Sequence, residues 1–192
     1  MSQPLRTRID GGGTPRSEHW GVDSEYGTLH DVLVGPIDNF SWQAGNAVAQ
    51  RTERVGLTFD KDVARRQYRE MTHAYEQAGV TVHTLKPDDC LPYQVFARDS
   101  SVMTPWGAII MQLHMPYRRG EIASVLRFYL EKNIPIYDMV SAGNVEGGDF
   151  MVLKPGVAAC GFSEERSIGP AVNQIKAWFE AEGWEFLTYE FD

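Results

Sequence analysis

The sequence predicts an α/β fold in which one order of elements, hairpin then helix then strand, comes three times. Three observations carry that expectation. Short runs rich in valine, isoleucine, tyrosine and threonine alternate with stretches whose apolar residues recur at helical spacing. Turn signals, Pro105-Trp106-Gly107 and Lys154-Pro155-Gly156, each stand between two such runs. The order itself then repeats, and a unit of this size cannot bury both faces of its strands alone, so a stacked or circular architecture is expected.

Residues 1 to about 18, with Gly11-Gly12-Gly13-Thr14-Pro15, lack apolar periodicity and read as a flexible leader to a domain over residues 19–192. Leu29 to Val34 reads as a strand closed by Gly35-Pro36. Ile37 to Gly56 has no strong period and reads as a surface loop long enough to act as a lid. Between Asp60 and Gly79, the positions Ala64, Tyr68, Met71, Tyr75 and Ala78 describe an amphipathic helix with acids at its start and glycine beyond its end. Val80 to Leu85 alternates as a strand. In the second round Ser101 to Thr104 and Ala108 to Met111 form the hairpin, and Ile122, Val125, Leu126 and Tyr129 mark the helix. Ile134 to Tyr137 is the strand, with Pro135 pointing to an edge or a strand start. The third round runs through Phe150 to Leu153, Val157 to Phe162, a helix carrying Ile168, Val172, Ile175 and Phe179, and Trp184 to Tyr189. An α/β repeat of three rounds should keep one open face, to be covered by missing sequence, a partner chain or a homo-oligomeric contact.

A chain of 192 residues, 43% hydrophobic and 23% charged, suits one sizeable globular domain. Its net charge of -8 disfavours nucleic acid or an anionic membrane as partner and is compatible with a small cationic substrate. No apolar run is long enough to span a bilayer and no signal-peptide hydrophobic region opens the sequence, so a cytoplasmic location is expected. Cys90 and Cys160 form neither a metal-ligand spacing nor a disulfide framework, and no metal or cofactor is expected. Cys160, in an apolar run, reads as a buried inert thiol; Cys90, after Asp88 and Asp89, reads as a poor nucleophile. Gly11 to Gly13 precede no helix pattern and make no phosphate loop.

The functional signal lies in Asn144-Val145-Glu146-Gly147-Gly148-Asp149 and, before it, Phe96-Ala97-Arg98-Asp99. Each sets carboxylates at the edge of an apolar run, where acids are costly unless a cation or hydrogen-bond donors meet them. That asks for a positively charged ligand. Gly147 and Gly148 allow a sharp turn or a close approach. Taken singly, each feature has a plain structural reading. Glu146 and Asp149 can be residues of a turn that opens a hairpin, Arg118 and Arg119 an exposed charge pair at a helix start, and Arg98 with Asp99 an internal ion pair. The histidines at 30, 83 and 114 fall in or beside strand runs, His73 within a helix and His19 by the leader, which favours core-edge or surface roles.

Taken together, Phe96-Ala97-Arg98-Asp99-Ser100, Met115-Pro116-Tyr117-Arg118-Arg119-Gly120-Glu121, Glu146-Gly147-Gly148-Asp149 and Gly161-Phe162-Ser163-Glu164-Glu165-Arg166-Ser167 resemble, in order and spacing, the guanidine-modifying penteins. This superfamily holds the dimethylarginine dimethylaminohydrolases, arginine deiminases and amidinotransferases. The resemblance covers residues 20 to 192 and implies an incomplete pentein domain, three of the five ββαβ-type units of an α/β propeller. It implies chemistry on the guanidinium of arginine or a derivative, through a cysteine thiolate that forms a covalent amidino adduct and a histidine that moves protons. On this resemblance Asp99 orients the guanidinium, and Glu146 is a second, catalytic acid that also steers the histidine. Asp149, Gly147, Gly148 and Arg98 are structural, and Arg118 or Arg119, with Arg166, receives the substrate's α-carboxylate. FARD and EGGD look closer to the hydrolase branch than to the amidinotransferases.

Two departures stand out. The family's histidine and nucleophilic cysteine lie beyond the EGGD unit, and here no histidine follows His114 and no cysteine follows Cys160. The chain by itself is therefore expected to be inactive, either part of an enzyme or a non-catalytic module that binds an arginine-like ligand. Tyr93 stands where relatives often carry Asp or Asn, which bears on the amino-acid end of the substrate.

Overall fold

A computed structural model describes residues 13–43, 47–56 and 59–191. The chain divides into two compact units, one of Leu29–Phe96 and one of Met1–Thr28 with Ala97–Asp192.

In the Leu29–Phe96 unit, β1 (Asp31–Val34) pairs in parallel with β2 (Thr81–Thr84), and α1 (Ala47–Arg54) and α2 (Lys61–Gln77) connect them. Asp60 caps α2, its Oδ1 accepting from the backbone N–H groups of Asp62 and Val63 at 3.0 Å each. The predicted stripe on α2 exists, yet no residue of that helix is buried. The segment expected to be loop contains α1, whose alanine, glutamine and arginine favour a helix without an apolar period; Ala49 is its buried residue. Part of that segment, residues 44–46, lies outside the described residues.

Among the described residues, the first round shows no hairpin of the kind the sequence suggested. Residues ahead of β1 belong to the other unit, where Ser17 donates to the Pro105 carbonyl, Val22 to that of Thr104, and Glu25 accepts from Val152 N–H. Residues 1–12 of the expected leader lie outside the described residues. From Gly13 onward the chain is tied down: Glu182 accepts from the N–H groups of Gly13 and Thr14 and from the Thr14 hydroxyl.

The larger unit holds two complete rounds. β3 (Ser101–Thr104) and β4 (Gly107–Ile110) form an antiparallel hairpin, α3 (Glu121–Glu131) crosses over, and β5 (Ile136–Met139) lies parallel to β4. β6 (Phe150–Lys154), β7 (Val157–Phe162), α4 (Gly169–Ala181) and β8 (Glu185–Glu190) repeat that order with the same pairing. Pro135 precedes β5, which lies at the edge of its three-stranded sheet, where a proline is tolerated, and its carbonyl accepts from Ala108 at 2.8 Å. One apolar core joins these rounds, with Trp106 against Tyr137, Phe179 and Trp184 at centroid distances of 5.3, 5.1 and 5.3 Å. Phe179 is fully buried, so the α4 register cannot slip without opening a cavity. Among the described residues, no helix is long and apolar enough to cross a membrane.

Candidate active site

Two 3-10 turns carry the acids. Ala97–Asp99 runs into β3 and Gly147–Asp149 runs into β6, so Asp99 and Asp149 hold equivalent positions in successive rounds. The turns are stitched together. Arg98 Nε donates to the Gly147 carbonyl at 3.3 Å and Nη2 to that of Phe150 at 2.9 Å. The Arg98 carbonyl packs so closely on Gly147 that an added Cβ would overlap it and would press on Val102 Cγ1. At Gly148 a Cβ would stand 3.0 Å from Asp99 Oδ1. Glycine at 147 is thus a steric requirement, and it lets the two acid-bearing turns close on each other.

Arg118 sits behind both turns, at the end of a 3-10 turn just before α3. Its Nε and Nη2 donate to Glu121 Oε1 and Oε2, each at 2.9 Å, and its Nη1 donates to Asp99 Oδ2 at 2.9 Å. Glu146 Oε1 lies 4.0 Å from the same Nη1. Asp99 and Glu146 therefore converge on one nitrogen. Burial works against the Arg118 charge, but the hydrogen bonds and charges of Glu121, then Asp99, more than offset it and hold the guanidinium above its ordinary value. Arg118 is a permanent internal cation.

Glu146 is 4% exposed. Its Oε2 pairs with Arg166 Nη1 at 3.0 Å, while its Oε1 is buried with no hydrogen-bond partner. Burial pushes this carboxyl above the usual carboxylate range, the charges of Asp99 and Asp149 add to the push, and Arg166 and Arg118 oppose it. The Glu146 backbone N–H donates to Ser167 Oγ at 3.0 Å, and Ser167 Oγ donates to Asp149 Oδ2 at 2.5 Å. Asp149 thereby ties the glycine turn to the segment ahead of α4. Three carboxylates, of Asp99, Glu121 and Glu146, pair with the guanidiniums of Arg118 and Arg166, and Asp149 stands beside them on the Ser167 hydroxyl, so acids outnumber guanidiniums in the cluster.

The residues singled out from sequence do not all stand alike. Arg118 is sealed among acids, whereas Arg119 is exposed, its Nε reaching the Leu113 carbonyl at 3.4 Å, and Arg166 is exposed as well. The expected Arg98–Asp99 ion pair gives way to two others: Arg98 pairs with Glu25 at 3.6 Å, and Asp99 with Arg118. Sequence reasoning missed Glu121, Ser167 and Glu25. Arg118 and Glu121, three apart at a helix start, were a legible pair; a serine that braces a turn and a glutamate from a distant strap leave no pattern. Asn144 Nδ2 lies 3.2 Å from His114 Nδ1 beside the same turn. Among the described residues, no group of three or more His, Cys, Asp or Glu is arranged to hold a metal ion.

Residues 44–182 match the model of the arginine deiminase family. The chain belongs to that family. An uncharacterized protein of Aeropyrum pernix is 30% identical to this arginine deiminase family chain over 128 residues, covering 66% of this chain and 47% of that protein. Among solved structures, dimethylarginine dimethylaminohydrolase of Pseudomonas aeruginosa, complexed with citrulline, superposes with a TM-score of 0.70 at 21% identity over 85% of this chain and 62% of that one. The amidinotransferase SxtG of Microseira wollei gives 0.71 at 16% identity over 88% and 62%. The cyanobacterial arginine dihydrolase ArgZ gives 0.72 at 16% identity over 84% and 24%. At these identities the likeness is one of fold, a mixed α/β fold with small sheets, and with the family match it sets the chain in the pentein superfamily. The chain spans about half the length of the curated relative it matches and about six-tenths of the first two structures.

Proposed function

We propose that this chain is the guanidinium-gripping part of an enzyme that acts on arginine or an arginine derivative, with hydrolysis as the favoured outcome. The observation that carries the reading is the buried Oε1 of Glu146, which accepts no hydrogen bond and stands 4.0 Å from Arg118 Nη1, in a cluster where acids outnumber guanidiniums. A lone buried acceptor is costly, and a planar cation with several N–H groups relieves that cost. Asp99 and Glu146 would share the guest's guanidinium, Arg118 would hold both acids in register, and Arg119 with Arg166 would receive an α-carboxylate from the solvent side.

The covalent step of this chemistry needs a thiolate and a proton carrier. Cys160 does not suit the first role, since burial and then the Asp149 charge push its thiol up to about 12. We therefore assign the nucleophilic cysteine and the histidine to a segment outside residues 1–192, which would also complete a five-unit propeller of which these rounds are three. Whether water or an amine resolves the amidino adduct decides between hydrolase and amidinotransferase, and the hydrolase reading rests on the FARD and EGGD motifs.

Calorimetry of the folded chain with L-arginine tests the grip. Binding is expected, weakened by about tenfold or more in Asp99→Asn and in Glu146→Gln. A protein extended with a segment bearing the cysteine and histidine should release citrulline from arginine. Neither binding nor turnover by that extended protein, once shown to be folded, would remove the proposal; binding with no turnover would favour a ligand-binding module.

A further inference from the structure

Arg166 occupies the acid that a guest must use. Its side chain is 55% exposed, yet its Nη1 holds Oε2 of a glutamate whose side chain is 5% exposed, while the other oxygen of that carboxylate is buried and accepts no hydrogen bond. A guanidinium that takes Glu146 through two parallel N–H···O bonds needs both oxygens. Arg118 cannot yield the room, because its fork is committed to Glu121 and its Nη1 to Asp99. Arg166 can, since its stem stands in solvent.

We infer that Arg166 is a specificity latch: it caps Glu146 while the site is empty and leaves that carboxylate when a guanidinium takes both oxygens, so ligands with an anionic group of their own are selected. The inference rests on the guanidinium-binding reading of the site. A guest with a carboxylate gives the released Arg166 a new partner, so one internal ion pair is exchanged for two. A guest without one displaces Arg166 into water and recovers nothing for it. The latch thus penalises simple guanidines as well as rewarding arginine. A direct contact between Arg166 and a ligand carboxylate would give the reward without the penalty.

Calorimetry with L-arginine and with methylguanidine, on the wild-type chain and on Arg166→Gln, separates these cases. Loss of the latch should weaken arginine and tighten methylguanidine, each by about fivefold. Lys176→Gln removes an exposed positive charge that pairs with Glu180 at 3.8 Å instead, and it should leave methylguanidine unchanged if the effect is local. Methylguanidine binding that is equal in wild type and Arg166→Gln overturns the latch while leaving the guanidinium site intact. Equal tightening in both variants overturns it too, by assigning the effect to net charge. No binding of either compound by any folded variant overturns the latch and the site together.

Discussion

Arg118 and Glu121 meet as a two-pronged pair, both contacts at 2.9 Å and both side chains at least 95% buried. Water cannot replace a lost partner there. Arg118→Met should therefore destabilise the chain by about 3–5 kcal/mol, read by chemical denaturation, because it strands the Glu121 and Asp99 carboxylates. Replacing Glu121 by Met as well should recover part of that loss. If the double variant is as unstable as the single one, the pair is not what the region depends on.

Glu146→Gln should act in the opposite direction on stability. Burial raises the Glu146 carboxyl, so the folded chain keeps that proton to higher pH than the unfolded chain does. The stability this group contributes is full below the ordinary carboxylate value and is lost as pH rises through the raised one. The variant carries no such loss. It should gain on wild type with rising pH, in melts run from acid to neutral. A difference that shrinks with pH would contradict the sign.

Three glycines predict three different costs. Gly156 has φ of +88° and nothing near its missing Cβ, so Gly156→Ala should cost about 1 kcal/mol through backbone strain alone. Gly147→Ala meets the Arg98 backbone and should cost about 3 kcal/mol. Gly148→Ala meets only the movable carboxylate of Asp99, so it should fold nearly as well as wild type while weakening any guanidino ligand. Thermal melts with calorimetry on the same three variants check the ranking.

The two thiols should differ in accessibility to a reagent. Cys90 is exposed, whereas Cys160 is buried with its thiol pushed up to about 12. A chromogenic disulfide reagent at pH 8 should find one reactive thiol in the folded chain and two after denaturation. Rapid labelling of Cys160 in the folded state would mean that β7 opens far more readily than its packing suggests.

The repeating order was legible because its turns are written in residue types that permit few conformations, Pro-Trp-Gly and Pro-Gly between alternating runs. Buried positions on α4 were equally legible: Val172, Ile175 and Phe179 are fully buried, as their spacing required. Where a strand's neighbour lies is another matter. Residues before β1 could have formed a hairpin with it, and nothing local says that they bond to Thr104, Pro105 and Val152 instead. At the site, the acids and glycines were readable as a constellation, but the commitment of Arg118 to Glu121 and the position of Arg166 on Glu146 were not. Three arginines look alike in a string, and only burial separates the one that is part of the scaffold from those free to move.

The parallel pair β1 and β2 has a further consequence. Two-stranded sheets are marginal in water, and α2 beside this pair buries none of its residues. The Leu29–Phe96 unit should accordingly open by local fluctuation at small free energy. Its amides will then lose deuterium protection long before those around Phe179, where a whole aromatic core must come apart first.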